Sequence, residues 1–349
     1  MIIKSSTSLT LREAFESYHR CRQHKARTIE DYYTALNHWE RETVNPDVSQ
    51  LTNLDLRRFR EALLDHVPDG GINPLKPTTV AKYLREIQAI FVTLGPPGPR
   101  CPDSLGIIQQ VPYCKKPLVG DTDVITATIE EIEAIYEACQ VAQWPRKVTE
   151  EIDDTTLRVI RIDSAHWWRT LLVYLYNIGS RLNEFLTLKT EWVDLQRGRL
   201  KIDPEKNGAR NYKPINAALA DHLERLLQAP REYVFACPKN SKKLYEVWYA
   251  IQAEAGIQVD REKGSRRVPF YGFHEIRKTC GTTWADFSEK AAQHMLGHKS
   301  INTTRKHYLN GSSIASKIEI PQPGAFIREE ESTPPPPKND GPPVLRVVG

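Results

Sequence analysis

The 349-residue sequence has no long hydrophobic run: nowhere do about 18 apolar residues follow one another, so no membrane-spanning helix is expected. The N-terminal stretch MIIKSSTSLTLREAF becomes charged after a short apolar segment, which does not match the layout of a signal peptide. These absences predict a protein with no membrane partner, and a cytoplasmic location follows as the default expectation.

Paired cysteines and nucleotide-binding motifs are missing as well. The six cysteines are scattered and none forms a C-x-x-C pair, so neither a zinc site of the usual spacing nor a disulfide framework is expected. No G-x-G-x-x-G motif or P-loop follows a predicted strand, which argues against a Rossmann enzyme or a kinase. Carboxylates at metal-ligand spacing are absent too, and the sequence predicts no metal and no other cofactor.

A large excess of one charge is also lacking, since 48 Lys and Arg against 44 Asp and Glu leave a net charge of +4. This balance alone does not indicate nucleic acid, so local clusters decide. The segment RCRQHKAR and the polar face of a helix after Pro77 are both basic. Each alone is typical of a solvated surface, but two on one small helical unit favour phosphate contacts. The DNA-binding candidates here are Arg20, Arg22, Lys25, Arg27, Thr79, Lys82 and Arg85.

Composition along the chain predicts two domains. Residues 1–95 carry apolar side chains at helical spacing and predict a helical domain. Residues 96–120, with GPPGPRCPDS, predict an extended linker. A second domain is predicted over residues 121–320, and the Pro-rich residues 321–349 predict a disordered tail.

Within the second domain, the predicted elements are mostly helices. A capping box at Thr128 and Glu131 opens the first one, whereas residues 141–165 predict an irregular, charged insertion. The segment GRLKIDPEKNGARNYKPI predicts a β-hairpin, because the apolar residues Leu200 and Ile202 precede an Asn-Gly turn and Tyr212 and Ile215 follow it. Further helices are predicted over residues 217–228, 243–255, 274–287 and 289–296. The predicted fold class is mainly α with a small β-sheet, α+β.

Five polar motifs in the second domain carry the candidate chemistry. In chain order they contain Arg181, Lys206, His274 with Arg277, His298 and Tyr308. Arg181 follows a Gly-Ser break at a predicted helix start, and Glu184 lies one helical turn later, where it could orient the guanidinium. Each motif alone has an ordinary structural interpretation: a surface pair, a solvated hairpin lysine, a chance H-x-x-R, a structural histidine and a packing tyrosine.

Taken together and in this order, the motifs resemble those of the phage integrase or tyrosine recombinase family. The local frames GSRLNE and LGHKSINTT match this family as well, and the resemblance covers residues 125–310. It implies a helical core-binding domain followed by a tyrosine-recombinase catalytic domain. It also implies a site-specific DNA recombinase whose catalytic residues are Arg181, Lys206, His274, Arg277, His298 and Tyr308, with Glu184 in support.

The resemblance further implies a mechanism and partners. Tyr308 would attack phosphorus and form a 3′-phosphotyrosyl intermediate, the arginines and histidines would stabilise the phosphate charge, and Lys206 would protonate the leaving 5′-oxygen. Neither ATP nor metal is needed. The implied partners are double-stranded DNA and three further copies of the chain, which form a homo-tetramer on paired sites, with room for accessory DNA-bending proteins.

The sequence departs from the family pattern in three places. The gap between His298 and Tyr308 is ten residues, one more than in many relatives. After the hairpin turn the usual basic residue is replaced, which leaves Lys213 as an alternative to Lys206. The loop DREKGSRRVPFYG is long and basic, and it adds Arg266 and Arg267 to the DNA-binding candidates.

Two other functions remain open at this point. A type IB topoisomerase uses a similar set of residues and relaxes DNA without exchanging strands. A non-catalytic DNA-binding regulator derived from an integrase would keep the fold without the chemistry. The target sequence and the biological role, whether integration, excision, cassette capture or resolution, do not follow from these motifs.

Overall fold

A computed structural model describes residues 9–19, 24–68, 74–99, 101–119, 124–153, 156–202, 211–260 and 268–308. The chain divides into two compact units, the first of which ends at Thr122 and the second of which begins at Asp123. Among the described residues of both units, no helix combines the length and the apolar character that crossing a membrane requires.

Within its described residues, the first unit is a bundle of four α-helices, as the apolar spacing predicts. Its core is aromatic: the ring centroid of Trp39 lies 5.1 Å from that of Phe59 and 5.7 Å from that of Phe91. The third helix begins at a capping box in which Thr52 and Asp55 bond each other's backbone N–H groups. The helices are α1 (Leu11–His19), α2 (Ala26–Glu42), α3 (Asn53–Asp65) and α4 (Pro77–Leu94).

The described part of residues 96–120, predicted as an extended linker, is irregular as expected but packs partly against the first unit. Ile108 and Cys114 are buried in the core of the first unit. Gln88 Nε2 on α4 donates a hydrogen bond of 2.9 Å to the Cys114 carbonyl. The prolines and glycines do prevent regular structure, but the apolar residues between them supply enough buried surface to hold the segment against α4.

The second unit contains eight helices and five short strands within its described residues. Its core surrounds the largely buried helix α6, where Trp167, Trp168 and Leu175 are each 0% exposed. The predicted capping box is confirmed, because Thr128 and Glu131 bond each other's backbone at the start of α5. The elements are α5 (Ile129–Ala138), β1 (Lys147–Asp153), β2 (Thr156–Arg161), α6 (Ser164–Ile178), α7 (Leu182–Leu186), β3 (Val193–Asp194), β4 (Arg199–Ile202), β5 (Asn211–Pro214), α8 (Ala217–Leu226), α9 (Ser241–Glu254), α10 (Phe273–Phe287), α11 (Glu289–Leu296) and α12 (Ile301–Tyr308).

The prediction of an irregular insertion over residues 141–165 is wrong. Strands β1 and β2 form an antiparallel hairpin there, in which Val148 pairs with Ile160. Most of β2 is exposed, including Leu157 and Val159, and only Ile160 is buried. Leu157 and Val159 do alternate with polar residues, but the run is short, is surrounded by charged residues and faces solvent, so it gives a weak strand signal.

The predicted hairpin over residues 198–215 is present as β4 and β5, which extend a sheet that begins with β3. However, the buried face of β5 differs from the expectation. Lys213 lies opposite Leu200 and is buried, whereas Tyr212 lies opposite Lys201 and is 54% exposed. The Asn-Gly turn with Lys206 and the Pro-rich tail lie outside the described residues.

Candidate active site

The first component of the site is the turn between α6 and α7. Helix α6 ends at Gly179, which adopts a left-handed conformation with φ of 62°. Ser180 is 1% exposed, and its hydroxyl lies 2.7 Å from the hydroxyl of Tyr174. This buried pair fixes the turn, and Arg181 follows as the N-cap residue of α7 with its side chain 46% exposed.

Glu184 holds Arg181 in place. Its carboxylate accepts one hydrogen bond of 2.7 Å from the backbone N–H of Arg181 and one of 2.6 Å from the guanidinium. Burial alone would raise the pKa of this carboxyl, but the bonds to Arg181 and the charges of Arg181 and Arg277 outweigh it and lower the pKa of Glu184. The carboxylate therefore stays ionised at neutral pH and fixes a solvent-accessible arginine from behind.

Arg277 lies on α10 and is 1% exposed. Its Nη1 donates to the Gly179 carbonyl and its Nη2 donates to the Leu296 carbonyl at 2.6 Å. Nη1 also lies 3.7 Å from a carboxylate oxygen of Glu184. One guanidinium thus joins the ends of α6 and α11, because its planar fork offers donors in several directions.

His298 completes the group, directly after α11 ends at Gly297. Its Nε2 lies 3.5 Å from Arg277 Nη2, and its Nδ1 lies 3.0 Å from the hydroxyl of Thr304. Thr304 is 0% exposed and stands one helical turn before Tyr308 in α12. The histidine therefore connects the buried arginine to the helix that ends with Tyr308, whose side chain is outside the described part of the structure.

His274 lies one turn before Arg277 on α10 and is exposed. Partial burial, together with the positive charges of Arg277, Lys278 and Arg181, lowers its pKa. The start of the helix is set by Glu275, whose carboxylate accepts a 2.8 Å bond from the Gly272 N–H. These contacts place a mostly neutral imidazole at the surface of the same group.

The structure describes only one of the two lysines considered for the hairpin. Lys206 lies outside the described residues, so its predicted role stays a prediction. Lys213 is 3% exposed, and its Nζ donates a 2.9 Å bond to the Ile178 carbonyl. Because the Lys213 amine is buried and bonded to the end of α6, we keep Lys206 as the hairpin lysine, and the choice between Lys206 and Lys213 stays a prediction.

The sequence therefore did not predict that Lys213 is buried behind the site, nor that Ser180 and Thr304 contribute to it. The position of Lys213 follows from hairpin register, because residues opposite each other on paired strands share a face. Thr304 stands four residues before Tyr308, a spacing that places two positions on one helical face. No feature of the sequence marks the buried pair of Ser180 and Tyr174.

The DNA-binding candidates on the first unit carry acidic partners. Lys82 Nζ on α4 lies 2.9 Å from Asp31 Oδ1 on α2, and Arg27 Nε lies 3.9 Å from the same oxygen. Arg85 Nη2 lies 3.7 Å from Glu86. Lys25 is exposed and Thr79 is half-buried, whereas Arg20, Arg22, Arg266 and Arg267 lie outside the described residues. Contact with DNA by any of these residues stays a prediction.

Within the described residues, His38, Glu42 and His66 bring ligand atoms within 4.8 Å of one another, as a metal site requires. Arg41 Nη2 lies 2.7 Å from His38 Nδ1 and 3.0 Å from His66 Nε2, and Arg41 Nε donates to Glu42 at 2.7 Å. Because the guanidinium occupies the centre of the group, these residues form an arginine-centred hydrogen-bond cluster.

Comparisons with known proteins agree with the geometry. The sequence profile of the phage integrase family matches residues 128–313, which is more than half of the 349 residues. Tyrosine recombinase XerA of Pyrococcus furiosus is 26% identical over 185 residues, which cover 50% of this chain and 61% of that protein. The chain thus aligns with about three fifths of this curated relative's length.

Two solved structures have a similar fold at low identity. A lambda integrase dimer bound to a COC′ core site superposes with a TM-score of 0.63 at 17% identity, covering 90% of this chain and 100% of that one. A lambda integrase tetramer bound to a Holliday junction superposes with a TM-score of 0.59 at 17% identity, covering 86% and 78%. The arrangement of helices and small sheets is therefore the integrase fold.

Proposed function

Because the chain belongs to the phage integrase family, we propose that it is a site-specific DNA recombinase that cleaves and rejoins DNA through Tyr308. One observation carries this proposal. Arg181, Arg277 and His298, which are far apart in the sequence, converge around the Glu184 carboxylate and the Gly179 turn. The helix that ends with Tyr308 is bonded to the same group through Thr304.

The arginines suit a phosphate. A phosphodiester carries one negative charge, and the transition state of its cleavage concentrates more charge on the non-bridging oxygens. Arg181 offers an exposed guanidinium that a buried carboxylate already orients, and Arg277 keeps its charge inside the protein. The buried Nε of Arg277 has no hydrogen-bond partner among the described residues, and a bound phosphate oxygen would supply one.

Cleavage makes one bond to phosphorus and breaks another. The phenolic oxygen of Tyr308 forms a bond to phosphorus while the bond from phosphorus to the 5′-oxygen breaks. The phenol proton passes to a neutral imidazole, for which His274 has the lowered pKa that favours the free base. Lys206 gives a proton to the departing 5′-oxygen.

The reaction then reverses on a second strand. The 3′-phosphotyrosine keeps the energy of the broken phosphodiester, so a 5′-hydroxyl from a partner strand attacks phosphorus and releases Tyr308. No ATP is consumed in this cycle. Because the phosphate charge is met by guanidinium groups, the chemistry that two metal ions supply in other nucleases is assigned here to Arg181 and Arg277.

The proposed substrate is duplex DNA, and the proposed assembly is a tetramer on two paired sites. The support comes from the fold, since lambda integrase is seen as a dimer on a core site and as a tetramer on a Holliday junction. The first unit, with the exposed Lys25, Arg27 and Arg85, is proposed as the core-binding domain. Accessory DNA-bending proteins would be compatible with this assembly.

The proposal is tested with Tyr308→Phe. This change removes one oxygen and keeps the ring, and it leaves the Lys and Arg contacts to phosphates intact. Binding sites selected by the variant from random duplexes are rebuilt as nicked suicide substrates, which trap a covalent intermediate. We expect wild type to form a protein–DNA adduct that survives a denaturing gel, and Tyr308→Phe to bind equally well in a gel shift but form none.

The matched control is Tyr113→Phe, which changes an exposed tyrosine of the first unit and should leave the adduct unchanged. An adduct with Tyr308→Phe would mean that another residue is the nucleophile. Tyr271 is poorly placed for that role, because it is 4% exposed and its hydroxyl donates to Glu131 at 2.8 Å. Wild type that binds without ever forming an adduct would support the regulator hypothesis. Relaxation of supercoiled plasmids that lack the selected site would support a topoisomerase.

A further inference from the structure

A lysine with no assigned role lies behind the proposed active site. Lys213 on β5 faces the core, because it pairs with the buried Leu200 on β4. Its side chain is 3% exposed, although lysine is among the residues that are least often buried. The buried amine can affect the proposed active site only if its hydrogen-bond partners belong to that site.

The hydrogen-bond partner of Lys213 does belong to the site. Its Nζ donates to the carbonyl of Ile178, the last residue of α6. The next carbonyl along the chain, that of Gly179, accepts from Arg277. The last carbonyls of a helix have no partners within the helix and carry a partial negative charge, so two buried basic side chains hold this end of α6.

The charged and titratable groups around the amine come from two helices. Arg181 and Glu184 flank it from α7, and Arg277 and Cys280 flank it from α10. Burial, and then repulsion by Arg277, lower the pKa of Lys213 to about 7, although Glu184 opposes this effect. The thiol of Cys280 adds no charge, because burial raises its pKa to about 12. The amine thus gains or loses its proton near neutral pH.

We propose that Lys213 is a positioning residue whose buried amine fixes the α6–α7 turn and, when protonated, adds positive charge beside Arg181 and Arg277. This inference rests on the proposed function, because the turn matters for Arg181 only if Arg181 binds the scissile phosphate. The amine acts through the arginines and does not itself touch DNA.

The test compares wild type with Lys213→Met and Lys213→Gln. Met keeps the length and apolar volume without the amine, and Gln keeps a neutral N–H donor without the charge. Single-turnover adduct formation on the nicked substrate is measured beside a gel shift. At about pH 6 we expect Lys213→Met to form the adduct roughly tenfold more slowly, with Lys213→Gln in between, because a charge near the phosphate is lost. The affinity for DNA should stay nearly unchanged.

The pH profile distinguishes positioning by a titrating group from ordinary packing. The ratio of the wild-type rate to the Lys213→Met rate should fall as pH rises from about 6 to about 8.5, because wild type loses the charge over that range. A ratio of one at every pH would overturn the inference, and so would a deficit that is the same at every pH. If wild type itself formed no adduct, the proposed function would fail instead. Thermal unfolding of both variants checks that they fold.

Discussion

A guanidinium that is almost fully buried keeps its charge only where the protein supplies acceptors for its N–H groups. Arg277 has such acceptors in the carbonyls of Gly179 and Leu296, and the Glu184 carboxylate lies nearby. The acceptors are the ends of two helices, so the residue that we propose meets the phosphate charge also ties those helix ends together. Chemistry and local structure therefore depend on the same side chain.

This dual role predicts the effect of Arg277→Lys. An ammonium keeps the charge but lacks the planar fork, so it cannot bond both carbonyls and a phosphate oxygen in fixed directions. We expect adduct formation to fall by roughly 10²–10³-fold, as for the loss of one preorganised donor, while DNA binding in a gel shift changes little. Arg225→Lys is the control, because Arg225 is 64% exposed and pairs with Asp163. Equal rates for wild type and Arg277→Lys would contradict this role.

The lowered pKa of Lys213 predicts how the stability of the fold depends on pH. Its pKa is about 7 in the folded protein against the usual 10.5, so between these values the unfolded chain holds a proton that the folded one lacks. Stability then rises with pH across this window, by up to about 4 kcal/mol, and the gain is absent below about pH 7. Lys213→Met has no such dependence.

The measurement is thermal unfolding of wild type and Lys213→Met from about pH 6 to about pH 9.5. We expect the unfolding temperature of wild type to rise relative to that of the variant as pH increases. The comparison cancels the titration of groups that both proteins share. A temperature difference that stays constant across this range would show that the folded amine has an ordinary pKa.

The turn from α6 to α7 depends on a glycine. Gly179 has a φ of 62°, which disfavours any side chain, and a Cβ there would lie 2.9 Å from Cys280 Sγ and 3.2 Å from Leu296 Cδ2. Close packing of α6 against α10 and α11 therefore requires the absence of a side chain. The same packing brings the carbonyls of Ile178 and Gly179 to Lys213 and Arg277.

Comparing Gly179→Ala with Gly256→Ala separates the cost of a left-handed backbone from the cost of the close contacts that a Cβ would make. Gly256 also has a positive φ, of 70°, but a Cβ added there meets nothing within 4 Å. Gly256→Ala should lose about 1–2 kcal/mol of unfolding free energy from the left-handed backbone alone, and Gly179→Ala should lose more because of overpacking. Urea unfolding measures both. Equal losses would show that the neighbours of Gly179 move aside without cost.

Much of this architecture is predictable from the sequence, for identifiable physical reasons. Helices with one buried face, such as α11, repeat apolar residues at helical spacing, and the capping box before α5 has a local sequence pattern. The hairpin of β1 and β2 was missed because its strands are short and charged, and their few apolar residues, such as Leu157 and Val159, face solvent. The motifs identify Arg181, Arg277 and His298, but their convergence depends on packing between distant segments, which spacing does not encode.

The two units have separate hydrophobic cores, one around Trp39 and one around Trp167. A domain with its own core is able to fold alone. We therefore expect a fragment of residues 123–349 to unfold cooperatively with a temperature close to that of the corresponding transition in the full chain. Its DNA affinity should fall, because the basic residues of α2 and α4 are removed. Calorimetry and a gel shift check both, and a fragment without a cooperative transition would contradict the division.

The contacts of Arg277 have a consequence for the order in which the protein is made. Its guanidinium needs a carbonyl 98 positions earlier in the chain and another 19 positions later, and His298 needs Thr304 beyond that. A ribosome that has released only the residues before α11 therefore holds a nascent chain in which the proposed phosphate pocket is incomplete. A chain truncated by a premature stop or by a protease before this point lacks the pocket too. A recombinase of the proposed kind would in this way be inert until its last described helices have been synthesised and docked.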